Sequence, residues 1–201
     1  MLLHEELQSG GYHLILASQS PRRQQLMADA GLQFDTIKYE VEESFSTDIP
    51  AEDVPLYLAK LKSRAFPNEL LDKEIVITAD TVVISQGEIL GKPAGESGAR
   101  EMLGRLSGSE HQVTTGVCIR TATCERGFSA HTKVWFRKLS DEEIDYYVSK
   151  YSPLDKAGSY GIQEWIGYIG VERIEGSFYN VMGLPVQRLY CELRDLIAEN
   201  Q

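Results

Sequence analysis

Asp80 interrupts Ile75-Val76-Ile77-Thr78-Ala79-Asp80-Thr81-Val82-Val83-Ile84, a β-branched run that otherwise reads as a central strand buried on both faces. A carboxylate there costs free energy unless a cation, hydrogen bonds or a metal compensates it. The plain alternative is an Asp at a strand end or bulge facing solvent. The second chemical stretch is Leu14-Ile15-Leu16-Ala17-Ser18-Gln19-Ser20-Pro21-Arg22-Arg23. Four apolar residues, a polar turn and Pro at a first helical position lead into a run with Leu26, Met27 and Ala30, which predicts strand, turn, helix. Such a turn aims unpaired N–H groups and the positive helix end at one point. Ser18, Ser20, Arg22 and Arg23 add hydroxyls and guanidinium forks that fit phosphate oxygens. The decapeptide alone equally suits Ser20 as a simple helix cap with both arginines solvated.

The elements that must hold these groups alternate between strand and helix. Phe34–Tyr39 reads as a second strand after Gly31, followed by the acidic loop Glu40-Val41-Glu42-Glu43-Ser44. Pro50 opens a helical stretch to Phe66, with Val54, Leu58, Leu61 and Ala65 on one face and Lys60, Lys62 and Arg64 on the others. Ser97–Leu106 predicts a helix. Val113–Arg120 and Phe128–Phe136 predict a long hairpin turning at Glu125-Arg126-Gly127, and Ser140 with Glu143 makes a capping box. Asp155–Gln163 is a glycine-punctuated loop, Trp165–Val171 reads as extended, and a last helix starts near Pro185. The pattern predicts an α/β fold, a mixed sheet flanked by helices, in one domain over 1–201 with an N-terminal extension at 1–12.

The formal charge of -10 argues against nucleic acid or anionic membrane as partner. It also requires the basic residues to converge, with a divalent cation, if the ligand carries phosphates. Three cysteines without CxxC spacing read as packing residues in a reducing, cytoplasmic compartment. The first eleven residues do not read as a secretory signal, and no run approaches membrane-spanning length. There is no Walker loop, GxGxxG, GxSxG or HExxH, and His4, His13, His111 and His131 lack metal-ligand spacing and read as structural or solvated.

Several stretches occur together and in order: Ser18–Arg23, Thr78–Val83, Gly91-Lys92-Pro93, Leu106-Ser107-Gly108 with His111, Thr115-Gly116-Val117, Asp155–Gln163, and Gly176-Ser177 with Asn180–Pro185. In this the chain resembles the Maf family of nucleoside triphosphate pyrophosphatases, over about Leu14–Leu196. The resemblance implies a fold like that of inosine triphosphate pyrophosphatases, two lobes around a cleft, a homodimer, and hydrolysis of nucleoside triphosphate to monophosphate and pyrophosphate with Mg²⁺ or Mn²⁺. Arg22, Thr81 and Gln163 match the dTTP/UTP branch rather than the 7-methyl-GTP branch. Glu164-Trp165, where many relatives continue with Gly, is a departure that bears on the base pocket.

Carried over residue by residue, the resemblance makes Asp80 the catalytic carboxylate and Glu43 its partner in holding metal. Lys62 and Lys92 stabilise charge on the leaving pyrophosphate, Ser18, Ser20, Arg22 and Arg23 bind phosphate, and Thr81 and Gln163 read the pyrimidine. The plain alternatives are a solvated acid for Glu43, a surface lysine for Lys62, and for Lys156 an ion pair with Asp155 or a nearby Glu. The rival reading of the whole is a nucleotide-binding regulator of septum formation without turnover.

Overall fold

The computed structural model describes residues 1–199, so the end of the domain expected over 1–201 lies outside the described residues. In chain order the first elements are α1 (Leu3–Ser9), β1 (His13–Leu16), α2 (Pro21–Asp29), β2 (Phe34–Thr36), α3 (Val54–Arg64), β3 (Glu74–Ser85), β4 (Glu88–Leu90) and α4 (Gly95–Leu106). They are followed by β5 (Glu110–Arg120), β6 (Glu125–Phe136), α5 (Asp141–Tyr151), α6 (Trp165–Gly170), β7 (Val171–Glu175), α7 (Phe178–Met182) and α8 (Val186–Glu199). The strands form one seven-stranded sheet in the order β2-β1-β3-β5-β6-β7, with β4 on β3. β1 runs parallel to β2 and β3, whereas β4 and β7 pair antiparallel, which makes the sheet mixed as expected. Among the described residues no helix is long and apolar enough to cross a membrane.

The chain divides into two compact units. One comprises Met1–Asp80, Thr115–Ala130 and the stretch from Gly183; the other comprises Thr81–Thr114 and His131–Met182. β3, β5 and β6 each pass from one unit to the other along their length.

In the first unit β1 and β3 are buried on both faces. Leu14, Leu16, Ile75 and Ile77 are fully enclosed with Met27 of α2, while Ile15, Ala17, Val76 and Phe66 form a cluster flanked by Ile37 and Tyr39. That two-sided burial explains the unbroken apolar runs of both segments. α3 starts at Val54 rather than Pro50, because the Asp53 N–H closes a separate turn on the Pro50 carbonyl and Pro55 sits in the first turn of the helix. The helix comes so close to β5 that a Cβ on Gly116 would lie 2.2 Å from the Leu56 nitrogen. The N-terminal extension is not loose: α1 buries Leu3 and Leu7, contacts α8, and its Leu3 N–H donates to the Tyr190 hydroxyl at 3.1 Å.

In the second unit α4 and α5 pack together over a core that includes Leu103, Leu106, Val134, Phe136, Tyr147 and Ile166. The capping box is present. Ser140 Oγ accepts from the Glu143 N–H at 3.3 Å, and Glu143 accepts from the Ser140 N–H at 2.9 Å. Two sequence expectations fail. Trp165–Gly170 is helical, not extended, with Ile166 and Gly170 one turn apart on its buried side. Gly167 seats against the Ile162 carbonyl, where a Cβ would stand 1.8 Å from the oxygen, so glycine here serves close packing rather than a strand. In the first unit the hairpin turn lies at Thr121–Cys124, not at Glu125-Arg126-Gly127. The Thr121 hydroxyl accepts from the N–H groups of Thr123 and Cys124, a local side-chain turn that outcompetes the Gly signal. Of the three cysteines, which are free thiols, Cys118 is buried whereas Cys124 and Cys191 are exposed, so packing accounts for one of them.

Candidate active site

In the first unit β1 leads into the Ser18–Ser20 turn that starts α2, and the unit's share of β3 runs to Asp80, in the middle of the strand. Ser20 is the N-cap residue, yet its side chain makes no capping hydrogen bond, so the simple cap role is not what its hydroxyl does. The turn is held from within by the Ser20 N–H on Ser18 Oγ (3.2 Å) and by Gln24 Nε2 on the Ser18 carbonyl (3.4 Å). Pro21 leads the helix with its first N–H groups facing the turn.

The two arginines do different things. Arg23 donates Nε to the Gly183 carbonyl at 2.7 Å and Nη1 to the Ala79 carbonyl at 2.8 Å, with Ser18 Oγ at 3.4 Å. It braces the backbone immediately before Asp80 against the turn. Burial pulls its pKa down from the ordinary value, the charges of Asp80 and Glu43 push it up, and that of Arg22 pulls it further down. Arg22, partly exposed at the same helix start, is therefore near enough for its positive charge to act on Arg23.

Lys62, near the C-terminal end of α3, places its Nζ 2.6 Å from Asp80 Oδ1 and 2.9 Å from Glu43 Oε1. The Lys62 and Asp80 side chains are only 16% and 13% exposed, so the misfit carboxylate of β3 is compensated by an ammonium; Glu43, on the loop after β2, is half exposed. Lys62 is not a surface lysine and Glu43 is not a lone solvated acid. Three further residues set this cluster. The Thr78 hydroxyl donates to the Ala59 carbonyl at 2.7 Å, Gly116 admits α3 against the sheet, and the Tyr39 hydroxyl donates to the Lys62 carbonyl at 2.5 Å. The last carbonyls of a helix lack intrahelical partners, so Tyr39 acts as a side-chain cap. Burial pushes its phenol up to about 12, which keeps it a donor. Of these three, Thr78 and Gly116 stand in stretches that carry the family resemblance, and Tyr39 does not.

The remaining candidates lie in the second unit. Thr81 follows Asp80 on β3 and is partly buried, and Lys92 is exposed on the loop between β4 and α4. That loop is tied to the glycine-rich segment by the Gly158 N–H on the Gly91 carbonyl at 3.1 Å. Lys156 pairs with Asp155 at 2.9 Å and Glu164 at 3.2 Å, in line with its ion-pair alternative. Glu164, the departure from the resemblance, also accepts from the Tyr147 hydroxyl, and Trp165 packs edgewise on Tyr146. Gln163 keeps its side-chain carbonyl oxygen buried without a hydrogen-bond partner. A buried acceptor left unmatched costs free energy, so it is where a donor from a ligand would be most strongly felt. His111 is structural: enclosed between Phe136 and Tyr160, it meets the Tyr160 hydroxyl at 2.7 Å.

Among the described residues no three His, Cys, Asp or Glu side chains gather as a ready metal cage. The donor set at Lys62 nevertheless suits a hard cation. Two carboxylate oxygens from separate elements converge on one positively charged atom, and Mg²⁺ typically takes one or two protein carboxylates, completing its shell with water and substrate phosphate.

A family profile described as "Maf-like protein" matches residues 13–196. A protein of Phocaeicola vulgatus named dTTP/UTP pyrophosphatase is 54% identical over 92% of this chain and 96% of its own length. A protein of the same name from Porphyromonas gingivalis is 52% identical over 94% of this chain and 96% of its own. The solved structure of the Staphylococcus aureus Ham1 protein aligns over 91% of this chain and 98% of its own, with a TM-score of 0.49 and 18% identity. The match from His13 to Leu196, together with relatives that share half their residues, means that the chain belongs to the Maf-like protein family.

Proposed function

We propose that the protein is a nucleoside triphosphate pyrophosphatase, hydrolysing dTTP and UTP to the monophosphate and pyrophosphate with a divalent cation. The observation that carries the reading is the convergence of Asp80 and Glu43 on Lys62, beside a turn that offers helix N–H groups, hydroxyls and Arg22 to an anion. A binding module for anions would gain nothing from two carboxylates there. The names of the relatives agree with this reading.

In the proposed reaction the Ser18–Ser20 turn and Arg22 hold phosphate oxygens, while Arg23 keeps the turn and the Ala79 carbonyl in register. Asp80 orients a water for in-line attack on the α-phosphorus and takes its proton. Lys62 and Lys92 stabilise charge developing on the departing pyrophosphate. Glu43 and Asp80 would hold Mg²⁺ or Mn²⁺, which supplies neutralisation of the phosphate charge. Thr81 and the unmatched Gln163 oxygen read the base; an acceptor suits the N3–H of uracil and thymine and opposes cytosine, whose N3 is itself an acceptor. We further infer a cytoplasmic location, from the free thiols, and a homodimer, from the family resemblance. Light scattering on the purified chain tests the second point.

The test is pyrophosphate release from a panel of nucleoside triphosphates with Mg²⁺ or Mn²⁺, with Asp80→Asn as control. Release from dTTP and UTP with monophosphate as co-product, lost in the variant, supports hydrolysis. Nucleotide binding without release moves the protein to the regulator reading, and a requirement for a second acceptor moves it to nucleotidyl transfer.

A further inference from the structure

Lys62 is the one cation at the meeting point of Glu43 and Asp80 whose reach is set by a flexible stem. Its backbone is fixed: the Tyr39 hydroxyl holds the Lys62 carbonyl at 2.5 Å, and Thr78 holds the carbonyl of Ala59 one turn earlier at 2.7 Å. Any rearrangement is therefore confined to its four methylenes. Its ammonium lies 2.6 Å from one carboxylate and 2.9 Å from the other, where two like charges from different elements would otherwise repel. The Arg23 charge also acts on both carboxylates, and with Arg22 acting on Arg23 the two acids face three bases. A divalent cation approaching this group, whose carboxylates are already more than balanced, gains little until the base seated between them leaves. Arg23 is committed to the Gly183 and Ala79 carbonyls, which leaves Lys62.

We propose that Lys62 is a resident counter-ion: its ammonium fills the seat a divalent cation takes between Glu43 and Asp80, and must swing away before the cation enters. The inference rests on the assignment of these two carboxylates to metal. Its consequence is ordered loading. The nucleotide-free protein holds metal weakly, and the triphosphate, by giving the Lys62 ammonium a new anion, opens the seat at the moment the metal is needed. Half-exposed Glu43 is the side from which a hydrated cation arrives.

The experiment is a titration of Mn²⁺ alone into nucleotide-free protein, with free Mn²⁺ read by electron paramagnetic resonance and folding checked by circular dichroism. Lys62→Met removes the ammonium while keeping the stem, and is expected to bind Mn²⁺ on the order of tenfold more tightly than the unaltered protein. Lys62→Arg keeps the charge and is expected to stay near the unaltered affinity. Lys62→Met with Asp80→Asn is expected to lose the gain. Equal or weaker binding by Lys62→Met, with Mn²⁺ bound by both proteins, overturns the counter-ion role and leaves the metal assignment standing. Absence of Mn²⁺ binding at millimolar concentration in every folded variant overturns the metal assignment and this inference with it.

Discussion

The Tyr39 hydroxyl donates to the main-chain carbonyl of Lys62, so the residue that ends the stretch after β2 fixes the residue that faces Asp80. Glu43 lies four positions further along the same loop, and its carboxylate meets the same lysine. One phenol thus sets the spacing of an acid, a base and a second acid. Tyr39→Phe is expected to lower kcat roughly tenfold to a hundredfold, as small misplacements of reacting groups do, with a stability loss of about 1 kcal/mol for one hydrogen bond. Steady-state kinetics with dTTP beside a urea melt separates the two effects. A lost kilocalorie with kcat untouched would mean that the phenol only caps α3.

Asp80→Asn is expected to abolish pyrophosphate release while the far-ultraviolet spectrum stays unchanged. The amide still occupies the strand and still accepts from Lys62, so failure to fold is not the expected cause. Residual turnover within tenfold of the unaltered protein would remove Asp80 from the proton-taking role.

At Gly116 the limit is space. A methyl group would stand 2.2 Å from the Leu56 nitrogen and 2.4 Å from its Cα, both backbone atoms, so α3 must move bodily and carry Lys62 with it. Gly116→Ala is expected to cost about 1 to 3 kcal/mol, the usual range for overpacking, together with activity. A melting temperature and kcat both equal to those of the parent would contradict the close approach of α3 to β5.

Burial lowers the His111 pKa to about 4, against 6.5 for the exposed imidazole. The unfolded chain therefore binds the proton more readily. Stability from this group is complete above pH 6.5 and is lost as pH falls from 6.5 toward 4, by about 3 kcal/mol in all. Urea midpoints measured across that window should fall in the parent and lack this component in His111→Gln, whatever the variant's absolute stability. Parallel pH profiles for the two proteins would show that His111 does not titrate as its enclosure requires.

Replacing Gln163 by Leu removes the acceptor oxygen offered to the N3–H of the base and adds no charge. dTTP turnover is expected to fall with kcat/KM lowered about tenfold to a hundredfold, the roughly 1 to 3 kcal/mol of one buried group left unmatched. The ratio of dTTP to dCTP turnover is the more telling number. If it does not change, Gln163 does not read the pyrimidine.

The sheet and most helices were legible because their causes are local. The two-sided apolar runs of β1 and β3, the Ser140–Glu143 box and the stripe on α8 each carry their own signal. Asp80 was legible for the opposite reason, as a charge where a strand cannot keep one. The bracing roles of Tyr39, Thr78 and Arg23, the last read from sequence as a phosphate binder, were not, because each acts through a backbone carbonyl distant in sequence, and a carbonyl leaves no mark on residue identity. Trp165–Gly170 was misread because Gly167 reflects the nearness of Ile162, a fact of packing that periodicity does not contain.

α1 lies along α8, with Tyr190 accepting from the Leu3 N–H and Arg194 within 3.9 Å of Glu6. Leu3 and Glu6 meet Tyr190 and Arg194 in the same order, so α1 runs parallel to α8 and the first helix of the chain is held by its last. The chain's first turn of structure therefore cannot be completed until its last helix has been made, and α1 waits on Tyr190 and Arg194 for its place.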